Sequence, residues 1–249
     1  MKVVTSQDAG PLSNSYVIGD RPGGACLLID AGTPTNTIHE AIVNFDWKPQ
    51  ALFITHRHPD HIAHRDEYVQ RYSIPVFGHC AEAIACGGFD REVKDGESFS
   101  WEELRVRILH LPGHTAGHVA VLVSHESETV VFTGDTLFFH SVGGSRGSGN
   151  TGFEDLQHSI RNVLLGLPDE TLIYPGHSKP TSIGEEREHN PYVQAWASSE
   201  SEGEPCEVRG QPAQLLLRGP DYDGGTKCWV RWPDGAQDIV PGSMVQTGV

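Results

Sequence analysis

The segment Thr55-His56-Arg57-His58-Pro59-Asp60-His61 constrains this chain most. It sets four potential metal donors, His56, His58, Asp60 and His61, within six positions, directly after the apolar run from Ala51 to Thr55. A short apolar run of this kind reads as a buried strand. Side chains two apart on a chain leaving a strand point the same way, so His56 and His58 can meet one ion. Asp60 and His61, one turn further on, can face a second. Imidazole and carboxylate donors suit zinc, iron and manganese. Such a segment calls for a fold in which a strand ends at a site reached by donors from elsewhere.

Three other places have the same form, a polar donor beside glycine just after an apolar run. They are Leu111-Pro112-Gly113-His114, Phe132-Thr133-Gly134-Asp135 and Tyr174-Pro175-Gly176-His177. The runs that precede them read as strands. Those runs are Leu104–Leu109, Val130–Thr133 and Leu172–Tyr174, and further strands are expected at Cys26–Ile29, Ile74–Phe77 and Val119–Val123. Ile38, Ala41, Ile42 and Phe45 recur at helical spacing, Ile62–Tyr72 reads as a helix, and Leu156, Ile160, Val163, Leu164 and Leu167 mark another. Several neighbouring strands are joined by turns too short for helices, which implies a mixed α/β sandwich.

Composition narrows the partners. Lysine and arginine total 18 against 33 acids, a net charge of −15. That balance opposes sequence-independent binding to nucleic acid and anionic membranes, so the expected partner is a small-molecule substrate. The five cysteines, at 26, 80, 86, 206 and 228, form no framework, and their number leaves at least one unpaired. A reducing, cytoplasmic location is expected. No signal peptide is expected, and no membrane span, because no stretch approaches ~20 apolar residues.

Polarity shifts near Ala197. Residues 198–204 read as a linker between a domain of residues 1–197 and a small all-β module of residues 205–249. The strands Leu215–Leu217, Lys227–Trp232 and Asp238–Val240, separated by turns at 220–225 and 233–235, suggest a small β-barrel loosely resembling SH3-like modules. Trp229 and Trp232 are expected on opposite faces, one in the core and one exposed. The module is either a packing appendage or a surface for a homodimer or protein partner; in the second case deleting residues 200–249 would leave metal content and turnover intact.

The motifs together resemble the metallo-β-lactamase fold superfamily, an αββα sandwich, over roughly residues 1–195. The first segment matches its HxHxDH signature residue for residue, the later histidine, aspartate and histidine match in order, and Asp30-Ala31-Gly32 resembles its early D-x-G turn. The resemblance implies two divalent ions, zinc first, with iron or manganese as alternatives. His56, His58 and His114 would hold one, Asp60, His61 and His177 the other, and Asp135 would bridge both. Water shared by two such ions loses a proton near neutral pH and becomes the nucleophile. Asp60 would orient it as well as bind metal, and His118 would support the ligands. The remaining histidines match no motif.

Leu111–His118, Gly134-Asp135-Thr136-Leu137-Phe138, Tyr174–His177 and Ser182–Tyr192 are most similar to the glyoxalase II-like (hydroxyacylglutathione hydrolase-like) group, which implies a thioesterase. The chain departs from the long glyoxalase II enzymes in its C-terminal part, which is β-patterned and acidic, not helical and basic. Relatives often carry G-R-x-D after the bridging aspartate; here Arg146 is followed two residues on by Ser148, in a Gly/Ser-rich segment that reads as a lid or a surface loop. The alternative is a mononuclear iron persulfide dioxygenase using His56, His114 and Asp135, two histidines and a carboxylate. β-Lactam hydrolysis and phosphodiester cleavage have less support.

Overall fold

The computed structural model describes residues 1–198 and 202–248, so Ser199–Ser201 of the expected linker and the last residue of the expected module lie outside the described residues. The first sheet runs in the order Lys2–Gln7 (β1), Asn14–Gly19 (β2), Ala25–Ile29 (β3), Lys48–Phe53 (β4), Val76–His79 (β5) and Arg91–Val93 (β6). Its first three strands pair antiparallel and the rest parallel. The second sheet is built from Ser98–Trp101 (β7), Leu104–His110 (β8), Val119–His125 (β9), Glu128–Gly134 (β10), Leu172–Pro175 (β13) and Thr181–Ser182 (β14). A small hairpin of Leu137–Phe138 (β11) and Ser141–Val142 (β12) follows β10. Only the β10–β13 pairing is parallel here.

The two sheets face each other. Leu27 and Ile29 of β3, Phe53 of β4 and Phe77 of β5 pack on Val106, Val121 and Phe132 of the second sheet. The alternate residues, Cys26, Leu28 and Leu52, face outward onto Ile38, Ala41 and Ile42 of helix α1 (Asn36–Asn44) and Tyr68 of α3 (Arg65–Tyr72). Strands covered on both faces read as continuous apolar runs, which is why β3 and β4 were legible without alternation. The outer face of the second sheet is covered by α4 (Phe153–His158), α5 (Ile183–His189) and α6 (Pro191–Ala197). The architecture is the expected αββα sandwich.

Two helix expectations change in detail. Residues 62–72 divide into a short turn, α2 (Pro59–Ile62), and α3, because Pro59 starts a helix at its first position and the chain must turn at His64. The 156–167 helix begins at Phe153, widens to a π-turn at Ser159–Val163 and tightens at Leu164–Gly166.

Beyond α6, Glu204–Val208 (β15), Gln211–Pro220 (β16), Thr226–Arg231 (β17), Gln237–Pro241 (β18) and Val245–Thr247 (β19) form an all-antiparallel sheet in the order β18-β17-β16-β15-β19. It has its own apolar cluster around Cys206, Val208, Cys228, Val230 and Val240. Its other face joins the helical layer: Trp229 and Ile239 share one cluster with Phe153, Leu156, Tyr192 and Trp196. Trp232 is half-buried rather than exposed, because its ring lies under the Arg146 guanidinium and its indole N–H donates to Asp238.

Candidate metal centre

The donor residues follow strand ends at one edge of the sandwich. His56 lies just beyond β4, His114 precedes β9, Asp135 follows β10 and His177 follows β13. The two sheets are tied together there. Thr55 O accepts from Val119 N at 2.9 Å, Asn14 N donates to Gly176 O at 2.7 Å and Tyr16 Oη donates to Pro175 O at 2.6 Å. Gly176 is required by close approach, since a Cβ there would collide with the Asp135 carboxylate.

All seven residues singled out from sequence come together, in two groups able to hold a metal: His56, His58, His114 and Asp135; and Asp60, His61 and His177. In the first, His58 Nδ1 is 3.0 Å from both His56 Nε2 and His114 Nε2. Asp135 Oδ2 is 3.8 and 3.5 Å from those same Nε2 atoms. In the second, Asp60 Oδ2 is 3.8 Å from His61 Nε2 and 3.5 Å from His177 Nε2. Asp135 also reaches this group, with Oδ1 3.3 Å from His61 Nε2 and Oδ2 3.3 Å from His177 Nε2. Four donors about 2.1 Å from a tetrahedral ion lie about 3.4 Å from one another, so these spacings fit one cation per group. Among the described residues, His61 Nε2 and Asp135 Oδ1 are buried and make no hydrogen bond, though they lie 3.3 Å apart, which fits two donor atoms turned toward one cation.

Neighbouring groups fix which ring nitrogen faces inward. Thr55 Oγ1 donates to Asp30 Oδ2 and therefore accepts from His56 Nδ1, leaving His56 Nε2 its lone pair. His114 Nδ1 donates to Gly144 O at 2.9 Å and His58 Nε2 to Ser148 O at 3.2 Å. His61 Nδ1 is 2.8 Å from Asp30 Oδ2. Partners of this kind orient imidazoles for metal binding. Two carbonyls of the Gly/Ser-rich segment thus hold two of the donor histidines, and Arg146 pairs with Asp238 at 3.4 Å. His118 Nε2 accepts from Asp135 N at 2.9 Å, which occupies its lone pair and makes it a support for Asp135.

Two supports escape short motifs. The buried Glu82 accepts from Arg57 N, Arg57 Nε and Gly117 N, tying the HxHxDH segment to the loop that carries His114. Tyr222, in the β16–β17 turn, stacks on His177 with ring centroids 4.0 Å apart. An aromatic residue within an otherwise small and polar turn was its only signal. His140, matching no motif, bonds Glu185 at 2.9 Å.

Burial pushes His56 well below the ordinary imidazole range and lowers His114 to about 4. Burial acts the same way on His61, but Asp135 and Asp30 outweigh it and raise that group well above 6.5. The His61 ion pairs therefore stabilise the metal-free fold fully below the unfolded value, about 6.5, and that contribution is lost as pH rises through the raised value. Metal binding has the opposite sign, because it needs neutral His61. Zinc uptake is expected to release a proton and to tighten as pH rises from 6.5 to 8, measured by calorimetry in two buffers of different ionisation enthalpy. Uptake without proton release would contradict this.

The model of the metallo-β-lactamase superfamily matches residues 9–177. An uncharacterised protein of Mycobacterium tuberculosis is 32% identical over 220 residues, which cover 77% of this chain and 98% of that protein. A hydroxyacylglutathione hydrolase of Rhizobium etli is 34% identical over 165 residues, covering 65% of this chain and 60% of the hydrolase. Among solved structures, ETHE1 from Myxococcus xanthus is similar with a TM-score of 0.66 at 32% identity, covering 78% of this chain and 84% of that one. The arrangement of strand-end donors and the sequence match agree: this chain belongs to the metallo-β-lactamase superfamily.

Proposed function

We propose that the protein is a thioester hydrolase using two divalent cations, zinc first. His56, His58 and His114 would hold one and Asp60, His61 and His177 the other, with Asp135 in reach of both sets of donors. The observation that carries this is the Asp135 carboxylate, within 3.8 Å of His56 and 3.5 Å of His114 on one side and 3.3 Å of both His61 and His177 on the other. When bound, such ions polarise an acyl carbonyl and make hydroxide available near neutral pH. Asp60 is the least buried of the three carboxylates here, with 28% of its side chain exposed, and would accept a hydrogen bond from the attacking water and orient it. Asp30 and Thr55 keep His61 and His56 turned to the ions. Attack at the carbonyl carbon breaks the C–S bond; sulfur leaves with the electron pair as a thiolate, a good leaving group at neutral pH. The products are an acid and a thiol. The likeness to hydroxyacylglutathione hydrolase favours a hydroxyacyl thioester. Five unpaired cysteines favour a reducing compartment, the cytoplasm. Among the described residues no helix is long and apolar enough to cross a membrane. Residues 1–197 supply every proposed metal donor, and the module of 205–249, whose sheet begins at Glu204, is a smaller unit packed against them.

A second reading is a mononuclear iron dioxygenase acting on a persulfide. It needs only His56, His114 and Asp135, which present two histidines and one carboxylate toward a common point.

Elemental analysis of the purified protein, followed by thiol release from a hydroxyacyl-glutathione thioester, separates the two. About two ions per chain with thiol release supports the hydrolase. One iron per chain with oxygen consumption on a persulfide overturns it in favour of the second reading. No metal after reconstitution overturns both.

A further inference from the structure

His56, His58, His61 and His114 each have the ring nitrogen that faces away from the site held by a hydrogen bond. His177 differs. Its Nδ1 is buried and has no hydrogen-bond partner among the described residues. The backbone of His177 is fixed by a bridge to Ser13, but that leaves the ring free to turn. A metal-binding imidazole without a partner on its second nitrogen lacks the usual device that fixes its plane. Here the plane is set by aromatic contacts. The Tyr222 ring lies over His177 at 4.0 Å with 19° between planes, and the edge of Phe138 closes the other direction at 5.6 Å and 89°.

Tyr222 is itself firmly placed. Its neighbour Asp221 pairs with Lys227 at 2.9 Å, and Lys227 Nζ donates to Val142 O at 2.7 Å. Lys227 is only 5% exposed, and its ammonium group lies 5.1 Å from the Phe138 ring centroid and 5.4 Å from that of Tyr222. A buried cation is tolerated where it is paired and hydrogen-bonded, so this cluster fixes the β16–β17 turn against the β11–β12 hairpin.

We propose that Tyr222 is the positioning residue for His177, so that the group of Asp60, His61 and His177 is completed by the C-terminal sheet, which lies beyond the family match at 9–177. This rests on the metal-binding reading given above. Removing the ring frees His177 to rotate and weakens the cation held by this group, leaving the group of His56, His58 and His114 intact.

The test is a zinc titration against a competing chromogenic chelator, on the full chain and on Tyr222→Ala, Tyr222→Phe, His177→Ala and the double variant Tyr222→Ala/His177→Ala. Losing a partner that orients a ligand costs about 10–100-fold in metal affinity. Tyr222→Ala is expected to lose that much for one of two ions, Tyr222→Phe to bind as the parent does, and the double variant to bind no more weakly than His177→Ala. Loss in His177→Ala with none in Tyr222→Ala overturns the inference and leaves the metal reading standing. No loss in either overturns both. Equal loss in Tyr222→Phe overturns ring stacking as the cause. Should Tyr222→Ala fail to fold by circular dichroism, Tyr222→Leu, which fills the volume without a ring, takes its place with the same expectations.

Discussion

Replacing Asp135 by alanine is expected to lower turnover of the proposed thioester substrate by about a thousandfold or more, while replacing His140 leaves it near the parent value. The Asp135 carboxylate lies within 3.8 Å of donor nitrogens from both clusters. Its loss would remove a shared negative charge from the two proposed cations at once, and the charge stabilisation a metal centre provides amounts to several kcal/mol, at about 1.4 kcal/mol per factor of ten. Asp135→Asn is the stricter variant, because it keeps the shape and the N–H donation to His118 while deleting the charge. His140 meets Glu185 in a contact where the side chains are 28% and 39% exposed, and such pairs contribute about 0–1 kcal/mol. Metal content and turnover should fall together in the Asp135 variants, read by elemental analysis and steady-state rates. Equal effects of the two alanine substitutions would overturn the role given to Asp135.

The second large effect concerns the C-terminal sheet. Deleting residues 200–249 is expected to abolish cooperative folding. Trp229 and Ile239 belong to the same buried cluster as Phe153, Leu156, Tyr192 and Trp196, and Trp229 stacks on Phe153 at 5.9 Å. Each large ring buries roughly 150–250 Å². Uncovering even part of two such rings costs several kcal/mol at roughly 25 cal/mol per Å². A domain holds only about 5–15 kcal/mol in reserve. Lys227→Met tests the same interface with a single change. It leaves Asp221, whose side chain is 9% exposed, without its cation, and breaking a buried pair from one side costs about 3–5 kcal/mol. Adding Asp221→Asn should restore part of the loss. Chemical denaturation of the parent, the truncated chain, Lys227→Met and the double variant reads all of this. A truncated chain that melts cooperatively with its metal intact would show instead that the sheet is an independent attachment.

The donors were legible because each lies in a short segment next to a strand end, where apolar run, glycine and ligand fall within a few residues. The sandwich was legible for the same reason: β3, β4, β9 and β10 are buried on both faces and stand out as apolar runs. Strands β1, β2 and β7 escaped notice, since residues such as Lys2, Ser6, Asn14 and Ser98 dilute their pattern at the ends and edges of the sheets. The supports were illegible in kind. Glu82 reaches Gly117 across 35 positions, and Lys227 reaches Val142 across 85. No local spacing encodes such pairs; they exist only once the layers have packed. Asp30 was visible as a turn, but its bonds to Thr55 and His61 follow from the left-handed backbone it adopts there, at φ 57°.

The shared aromatic cluster has a consequence for biosynthesis. Everything that supplies a metal donor has been translated by residue 177, yet the helical layer stays uncovered until Trp229 and Ile239 emerge from the ribosome. At about 5–20 residues per second, that interval lasts several seconds. A nascent chain thus carries all seven imidazole and carboxylate donors on a scaffold whose helical layer is still uncovered. Docking of the C-terminal sheet, which covers the helical layer and brings Tyr222 against His177, comes only after every donor has been made.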